Sequence, residues 1–267
     1  MLKDITLGQY FPGSSVVHRL DPRAKLAMTV IYIVALFVAK WVVSYAVMIA
    51  FLATVTAIAH IKPKALFKGL KPILILVIIT AVINLFYAKG EPLVQFWRFT
   101  ITKEGLWNAA LMALRIVLLI CGSFLLTYTT SPIMLTDALE SVLRPLNYIK
   151  VPVHELALMM GIALRFIPTL IEETDKIMSA QKARGADFSS GSLIKRAKAL
   201  IPILVPLFVS AFRRADDLAV AMEARCYHNG KDRTRLHVLK MHARDYVALL
   251  IGALILAAVV VLRTYGL

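Results

Sequence analysis

Leu106-Trp-Asn-Ala-Ala-Leu-Met-Ala-Leu-Arg115-Ile-Val-Leu-Leu-Ile-Cys121-Gly-Ser-Phe-Leu-Leu-Thr-Tyr128 carries a single charged side chain over its whole length. About twenty apolar residues suffice to cross the hydrocarbon of a bilayer as a single helix. Four other stretches read the same way: Ala24 to Ala39, Trp41 to Ala59, Pro72 to Ala88 and Tyr246 to Leu262. The first is short, and Lys40 extends it by snorkelling. Trp41, Tyr87, Trp97 and Trp107 fall at or between the ends of these stretches, as interfacial aromatic residues do. A hydrophobic content of 59% and a mean hydropathy of +0.74 agree with that reading. The expected fold is all-α: a polytopic membrane protein with about five transmembrane helices.

Charge sets the expected orientation. The net charge is +15, an excess that cytoplasmic loops alone can produce, so nucleic-acid binding does not follow from it. Lys3, Arg19, Arg23 and Lys25 precede the first span, and Lys62, Lys64, Lys68 and Lys71 lie between the second and third. The opposite side carries Lys40, Lys89, Arg98 and Lys103. The N-terminus is therefore expected inside and the C-terminus, after five spans, outside. The chain then divides into a cytoplasmic N-terminal segment (1–25), a four-helix membrane region (26–130), a cytoplasmic helical domain (131–245) and a last membrane helix (246–267). No cleavable signal peptide is visible, because apolar character begins only near Leu26.

Region 131–245 holds more than half of the 31 Lys and Arg residues yet is rich in apolar positions. Asp137 to Leu146 reads as a short amphipathic helix with Ser131-Pro132 at its start. Pro152 to Arg184 reads as a long helix with Leu156, Met160, Ala163, Ile167, Leu170, Thr174 and Ile177 spaced by threes and fours. After a turn at Ser189-Ser190-Gly191, a second long helix runs from Leu193 to Arg225. Leu200, Leu204, Phe208, Phe212, Ala215, Ala219 and Met222 share one of its faces; Ile194, Ile201, Val205 and Val209 add another. Helices apolar on several faces require cover. Self-burial in a compact bundle and contact with another membrane protein both supply it.

These two helices end alike. Asp175-Lys-Ile-Met-Ser-Ala-Gln-Lys-Ala-Arg184-Gly185 and Asp216-Asp-Leu-Ala-Val-Ala-Met-Glu-Ala-Arg225-Cys226 match column by column at a constant offset. The shared columns are Asp175/Asp216, Ile177/Leu218, Ala180/Ala221, Ala183/Ala224 and Arg184/Arg225. Small Ala flanks let a helix end enter a groove, and Arg offers a planar fork to a carboxylate there. An ordinary C-terminal helix charge is the bland alternative. Gly185 suits a left-handed cap. Cys226 suits it less, so the second helix is expected to close later, at Asn229 or Gly230.

No phosphate loop and no His-Glu-x-x-His appear, and the six histidines and two cysteines form no ligand spacing. No enzymatic activity, cofactor or metal is expected. Arg115 at membrane depth fits either an interhelical bond or snorkelling. His18-Arg19-Leu20-Asp21-Pro22-Arg23-Ala24-Lys25-Leu26, with Gly8-Gln9-Tyr10 before it, anchors the first span, Asp21 and Pro22 suiting a helix start.

Taken together, the Gly-Gln-Tyr and His-Arg-Leu-Asp-Pro-Arg runs, the membrane segments and the two Ala-Arg-Gly-type motifs resemble the T component of energy-coupling factor (ECF) transporters over nearly the whole chain. The resemblance implies a transmembrane coupling subunit of a vitamin or micronutrient importer in the bacterial plasma membrane. Two ABC-type ATPases would bind it at Ala183-Arg184-Gly185 and Ala224-Arg225-Cys226, the latter departing from the pattern at Cys226. A membrane S component would capture the substrate and rest on the long helices, through Leu156, Met160, Ile167, Leu204, Phe208 and Phe212. The rival is an autonomous secondary transporter with a cytoplasmic helical domain, which expects more polar residues at midplane than Arg115 and a few hydroxyls and amides.

Overall fold

The structure is a computed structural model and describes residues 10–87, 92–96, 99–188, 192–227 and 238–265. In chain order the elements are α1 (Pro22–Val38), α2 (Val42–Ile58), α3 (Pro63–Leu70), α4 (Leu74–Tyr87), the antiparallel pair β1 (Pro92–Phe96) and β2 (Phe99–Thr102), α5 (Lys103–Thr129) and α6 (Pro132–Leu143). A 3₁₀ turn at Arg144–Ile149 leads to α7 (Val153–Ala183), α8 (Leu193–Ala224) and α9 (Ala243–Tyr265). The fold is all-α apart from the one small strand pair, which periodicity did not anticipate.

Each of the five apolar stretches contains a helix. Among the described residues α5, α7 and α9 are long and apolar enough to cross a membrane, and α3 with α4 makes a fourth if that pair, bent by 64°, is one span. α1 and α2 have 17 residues each, about 25 Å of helix, the lower limit for a crossing. Two boundaries differ from the expectation. The Lys62–Lys71 segment is not a plain loop but forms α3, because Leu66 and Leu70 are buried one turn apart while Lys64 and Lys68 face outward. Pro72 follows, and α4 begins only at Leu74. Similarly α6 starts at Pro132 rather than Asp137, its first turn capped by Ser131 Oγ, which accepts from Met134 N at 3.3 Å.

The chain separates into two compact units, one built on residues 10–138 with 239–265, the other on 139–227. In the first, Tyr32 and Leu36 of α1, Tyr45 and Met48 of α2, Leu118 of α5 and Val259 of α9 form the main core. Close packing depends on two glycines: a Cβ on Gly122 would strike the Tyr32 ring, and one on Gly252 would strike Met28 Sδ. Arg115 does not snorkel. Its Nε donates to Tyr45 Oη at 2.9 Å and its Nη2 to the Ala39 carbonyl at 2.8 Å, so it caps the C-terminus of α1 and ties it to α2 and α5. Asn84 Nδ2 donates to Thr80 O within its own helix.

At the other end of this unit the basic run before α1 resolves into a polar node. Asp21 caps α1, accepting from Arg23 N at 2.8 Å, and its carboxylate also pairs with the Arg23 guanidinium at 3.2 Å. Arg23 Nη2 reaches the Leu239 carbonyl at 2.6 Å. Lys25 Nζ donates to the carbonyls of His18 (3.0 Å) and Thr129 (2.7 Å), closing the C-terminus of α5. Burial pushes the His18 imidazole below the ordinary histidine value. The neutral ring then donates from Nε2 to the Phe11 carbonyl and accepts the Ser15 hydroxyl at Nδ1. Asp245, fully buried at the start of α9, accepts from Asp21 N at 2.8 Å and from His242 N at 2.7 Å. The second bond is half of a capping box, an acidic N3 side chain reaching back to the N-cap amide.

In the second unit α7 and α8 pack on each other, and His154 Nδ1 lies 3.0 Å from Glu140 Oε1 where α7 begins. Apart from Val153 and Ile203, no hydrophobic side chain of α7 or α8 is buried among the described residues.

Asp245→Ala strands the buried Asp21 amide, at a cost of about 1–3 kcal/mol, and removes the partner of the partly buried His242 amide. We expect it to lower the stability of the detergent-purified protein by about 2 kcal/mol. A thermal melting temperature equal to that of the unsubstituted protein would refute the node.

Candidate functional site

The two Arg-bearing helix ends are closed by the same hydrogen bonds. At α7 the helix stops at Ala183, Arg184 is the C-cap (φ −85°, ψ 8°) and Gly185 turns left-handed at φ 87°. Gly185 N donates to Lys182 O at 2.9 Å and Ala186 N to Gln181 O at 3.0 Å. At α8 the helix stops at Ala224, Arg225 is the C-cap (φ −92°, ψ 16°) and Cys226 turns left-handed at φ 53°. Cys226 N donates to Glu223 O at 2.8 Å and Tyr227 N to Met222 O at 3.0 Å. Each set is a Schellman closure, and each bond of one has its counterpart in the other at the offset of the repeat.

The second closure corrects the expectation that Cys226 would delay the helix end to Asn229 or Gly230. The two bonds satisfy carbonyls that the helix would otherwise leave unpaired. They outweigh the roughly 1–2 kcal/mol that a side chain in the left-handed region costs. Asn229 and Gly230, like the expected turn at Ser189-Ser190-Gly191 and the Gly8-Gln9 part of the N-terminal run, lie outside the described residues. Ala183, Arg184, Gly185, Ala224, Arg225 and Cys226 are all exposed, so both arginines are presented on slim, capped helix ends.

What sets the spacing of the two ends is a contact that sequence reading passed over. Arg214 Nη2 donates to Glu173 Oε2 at 3.1 Å. The Ser210 hydroxyl, one turn earlier on α8, also binds the Glu173 carboxylate, and Ser210 first, Arg214 second, hold that group below the ordinary carboxylate value. Glu173 and Arg214 stand at the same offset as the two arginine motifs, so α7 and α8 meet at equivalent positions of the repeat. Arg184 therefore follows Glu173 by as many positions as Arg225 follows Arg214. At about 1.5 Å per residue each arginine stands about 16 Å along its helix from the crossing. The signal was in the sequence: opposite charges occupy one repeat column just before the Asp175/Asp216 column.

The side of α8 that packs is offset from the stripe through Leu204, Phe208 and Phe212. Ala199, Ile203, Leu207, Ser210, Ala211, Arg214, Leu218 and Met222 are the buried or half-buried positions among its described side chains, whereas Leu204, Phe208 and Phe212 are exposed. Phe208 is 61% and Phe212 69% accessible. Leu156 and Met160 on α7 are exposed too, and Ile167 is half-buried. The inward row is mostly apolar, with Ser210 and Arg214 set in it where they meet Glu173, and the aromatic row faces out.

Comparison with known proteins places relatives along nearly the whole chain. A family model described as cobalt transport protein, CbiQ, matches residues 13–236. The chain is 55% identical over 264 residues to the energy-coupling factor transporter transmembrane protein of Clostridium kluyveri, covering 98% of this chain and 97% of that one. Its counterpart in Thermosediminibacter oceani is 52% identical over 254 residues, with 95% and 96% covered. That of Brevibacillus brevis is 49% identical over 260 residues, with 97% and 98% covered.

Cys226→Gly removes the left-handed penalty while keeping both closing bonds. We expect it to stabilise the end of α8 by about 1 kcal/mol, and Gly185→Ala to destabilise the end of α7 by about as much, since nothing lies within 4 Å of its added Cβ. Amide hydrogen exchange at residues 226 and 227 should slow in the first variant, and that at 185 and 186 should quicken in the second. Unchanged exchange in both would show that the caps are not strained as described.

Proposed function

The chain belongs to the family of energy-coupling factor transporter transmembrane proteins, and we propose that it is the subunit coupling two ABC-type ATPases to a separate substrate-binding S component. It is a multi-pass membrane protein. Its orientation in this reading has the N-terminus, α7 and α8 on the cytoplasmic side of the bacterial plasma membrane, as the distribution of Lys and Arg favours. ATP hydrolysis resides in the partner subunits, and substrate recognition in the S component, which selects a vitamin or other micronutrient.

The observation that carries the proposal is the pair of matched closures. Two related ATPases need two related contacts, and α7 and α8 end in equivalent Schellman turns with exposed Arg184 and Arg225. A guanidinium inserted into a groove can form two parallel bonds to one carboxylate. The crossing at Glu173 and Arg214 makes the two helix arms equal, so a movement of either ATPase is delivered to the same junction. The exposed row of Leu156, Met160, Leu204, Phe208 and Phe212, with Ile167 beside it, is the surface on which the S component rests.

Losing one member of a desolvated charge pair typically costs about 2–5 kcal/mol, roughly a thirtyfold or greater loss of contact strength. Arg184→Glu or Arg225→Glu should each cut ATP-driven uptake sharply in reconstituted vesicles. The double variant should release the ATPases from the membrane, and Arg→Lys should fall between, because charge survives without the planar fork. Full uptake and intact complexes in the double Glu variant would overturn the assignment. Cysteine crosslinks from positions 204, 208 and 212 should capture the S component; crosslinks confined to this chain would remove the docking face.

A further inference from the structure

Within the first unit, α1, α2, α5 and α9 enclose a cavity of about 500 Å³ that the coupling reading does not use. Met28, Phe51, Leu125, Leu126, Val247 and Ile251 are among the side chains that make its walls almost wholly apolar. It is open on one side, and its polar groups gather at one end: Lys25, Thr29, Thr129 and Arg244. That end is where α1 and α9 begin and α2 and α5 finish, beside the polar node. The hydroxyls are already used, Thr29 on the Lys25 carbonyl and Thr129 on the Leu125 carbonyl.

Among the described residues the cations at this end, Arg23, Lys25 and Arg244, outnumber the carboxylates, Asp21 and Asp245. Asp21 is taken by Arg23, and Asp245 by two backbone amides. Lys25, only 6% exposed, gives two of its three N–H donors to carbonyls and keeps one. Arg244 is exposed and has no side-chain partner among the described residues. An apolar slot of this size falls within the range of small-ligand sites. It lies in a membrane protein, with two cations at the level where a helix bundle meets the headgroups. Its natural complement is a molecule with an acyl chain and a phosphate.

We propose that this cavity binds one anionic glycerophospholipid of the surrounding leaflet, an acyl chain lying between α1, α2, α5 and α9 and the phosphate meeting Arg244 and the free Lys25 donor. A zwitterionic lipid offers the same chain but adds a cation next to Arg244, so the site discriminates by headgroup charge. Because the lipid bridges the beginnings of α1 and α9 to the ends of α2 and α5, it completes the packing of the membrane bundle. The site is independent of the Arg184 and Arg225 contacts.

The test is native mass spectrometry of the assembled complex released from nanodiscs containing equal amounts of phosphatidylglycerol and phosphatidylcholine. The unsubstituted complex should retain one phosphatidylglycerol per copy of this chain through delipidation. Arg244→Gln should reduce that retention roughly fivefold, the share expected of one basic residue near a lipid surface. Ala248→Phe, which projects into the slot, should abolish retention without dissociating the complex. A second measurement covers a variant that fails to assemble: phosphatidylglycerol with a photoreactive acyl chain should label unsubstituted protein on peptides containing Met28, Phe51, Leu126 or Ile251. Equal retention of both lipids, labelling only elsewhere, or displacement by millimolar inorganic phosphate would overturn the proposal; the last would mean an anion site without a chain slot.

Discussion

The geometry of α7 and α8 depends on the Glu173 carboxylate. It collects Ser210 and Arg214 from α8, and no other charge pair joins the two helices among the described residues. Half-exposed ion pairs contribute little to stability, typically about 0–1 kcal/mol. The value of this one is positional. A crossing of two long helices held only by methyl and methylene contacts can slide by a turn. A carboxylate with a hydroxyl and a guanidinium spaced one turn apart on the facing helix has one register that serves both. That register places equivalent residues together and so fixes two equal arms ending at Arg184 and Arg225.

Outside that junction the second unit is held loosely. α7 has 31 residues and α8 has 32, yet Val153 and Ile203 are their only buried hydrophobic side chains among the described residues. Ordering a long helix costs conformational entropy that hydrophobic burial normally offsets. Here much of that burial is missing, and exposed Leu, Ile, Val and Phe side chains line both helices. Such a pair requires a membrane surface or partner proteins for its stability. The first unit contrasts with it: a core from four helices, an Arg115 clasp at one end and the Asp21–Asp245 node at the other. Under the proposed function that contrast divides the labour, a cross-tied anchor in the bilayer and a lightly packed lever that partners can move.

The sequence made the helices legible because their signals are local. Apolar runs located five of them, and the spacing by threes and fours bounded α7 and α8 closely. The repeat located the two Arg ends for the same reason: each copy lies within the last turns of one helix and its cap. What local signals left open was which neighbour a residue meets. The aromatic row of α8 suited either a self-buried bundle or contact with another membrane protein; in the fold Ser210 and Arg214 meet Glu173, and that row stays exposed. The break before α4 was visible as Pro72, yet Leu66 and Leu70 of α3 find cover only in the folded bundle.

The basic run before α1 shows how far local reading reaches. Asp21 and Pro22 announce a helix start on their own, and the structure contains it. Arg23 and Lys25 read as membrane-surface charges, the commonest fate of such residues. In the fold they turn inward instead, Arg23 to Asp21 and the Leu239 carbonyl, Lys25 to the carbonyls of His18 and Thr129. Leu239 and Thr129 lie far along the chain from the run, so no window of sequence contains either contact. The order of residues then has a physical reason. A cap at position 21 leaves the next helical turn, positions 23 and 25, pointing to opposite sides of α1, one toward the entry of α9 and the other toward the exit of α5. A surface anchor needs only positive charge, but a junction between three chain segments needs each charge on its own side of the helix.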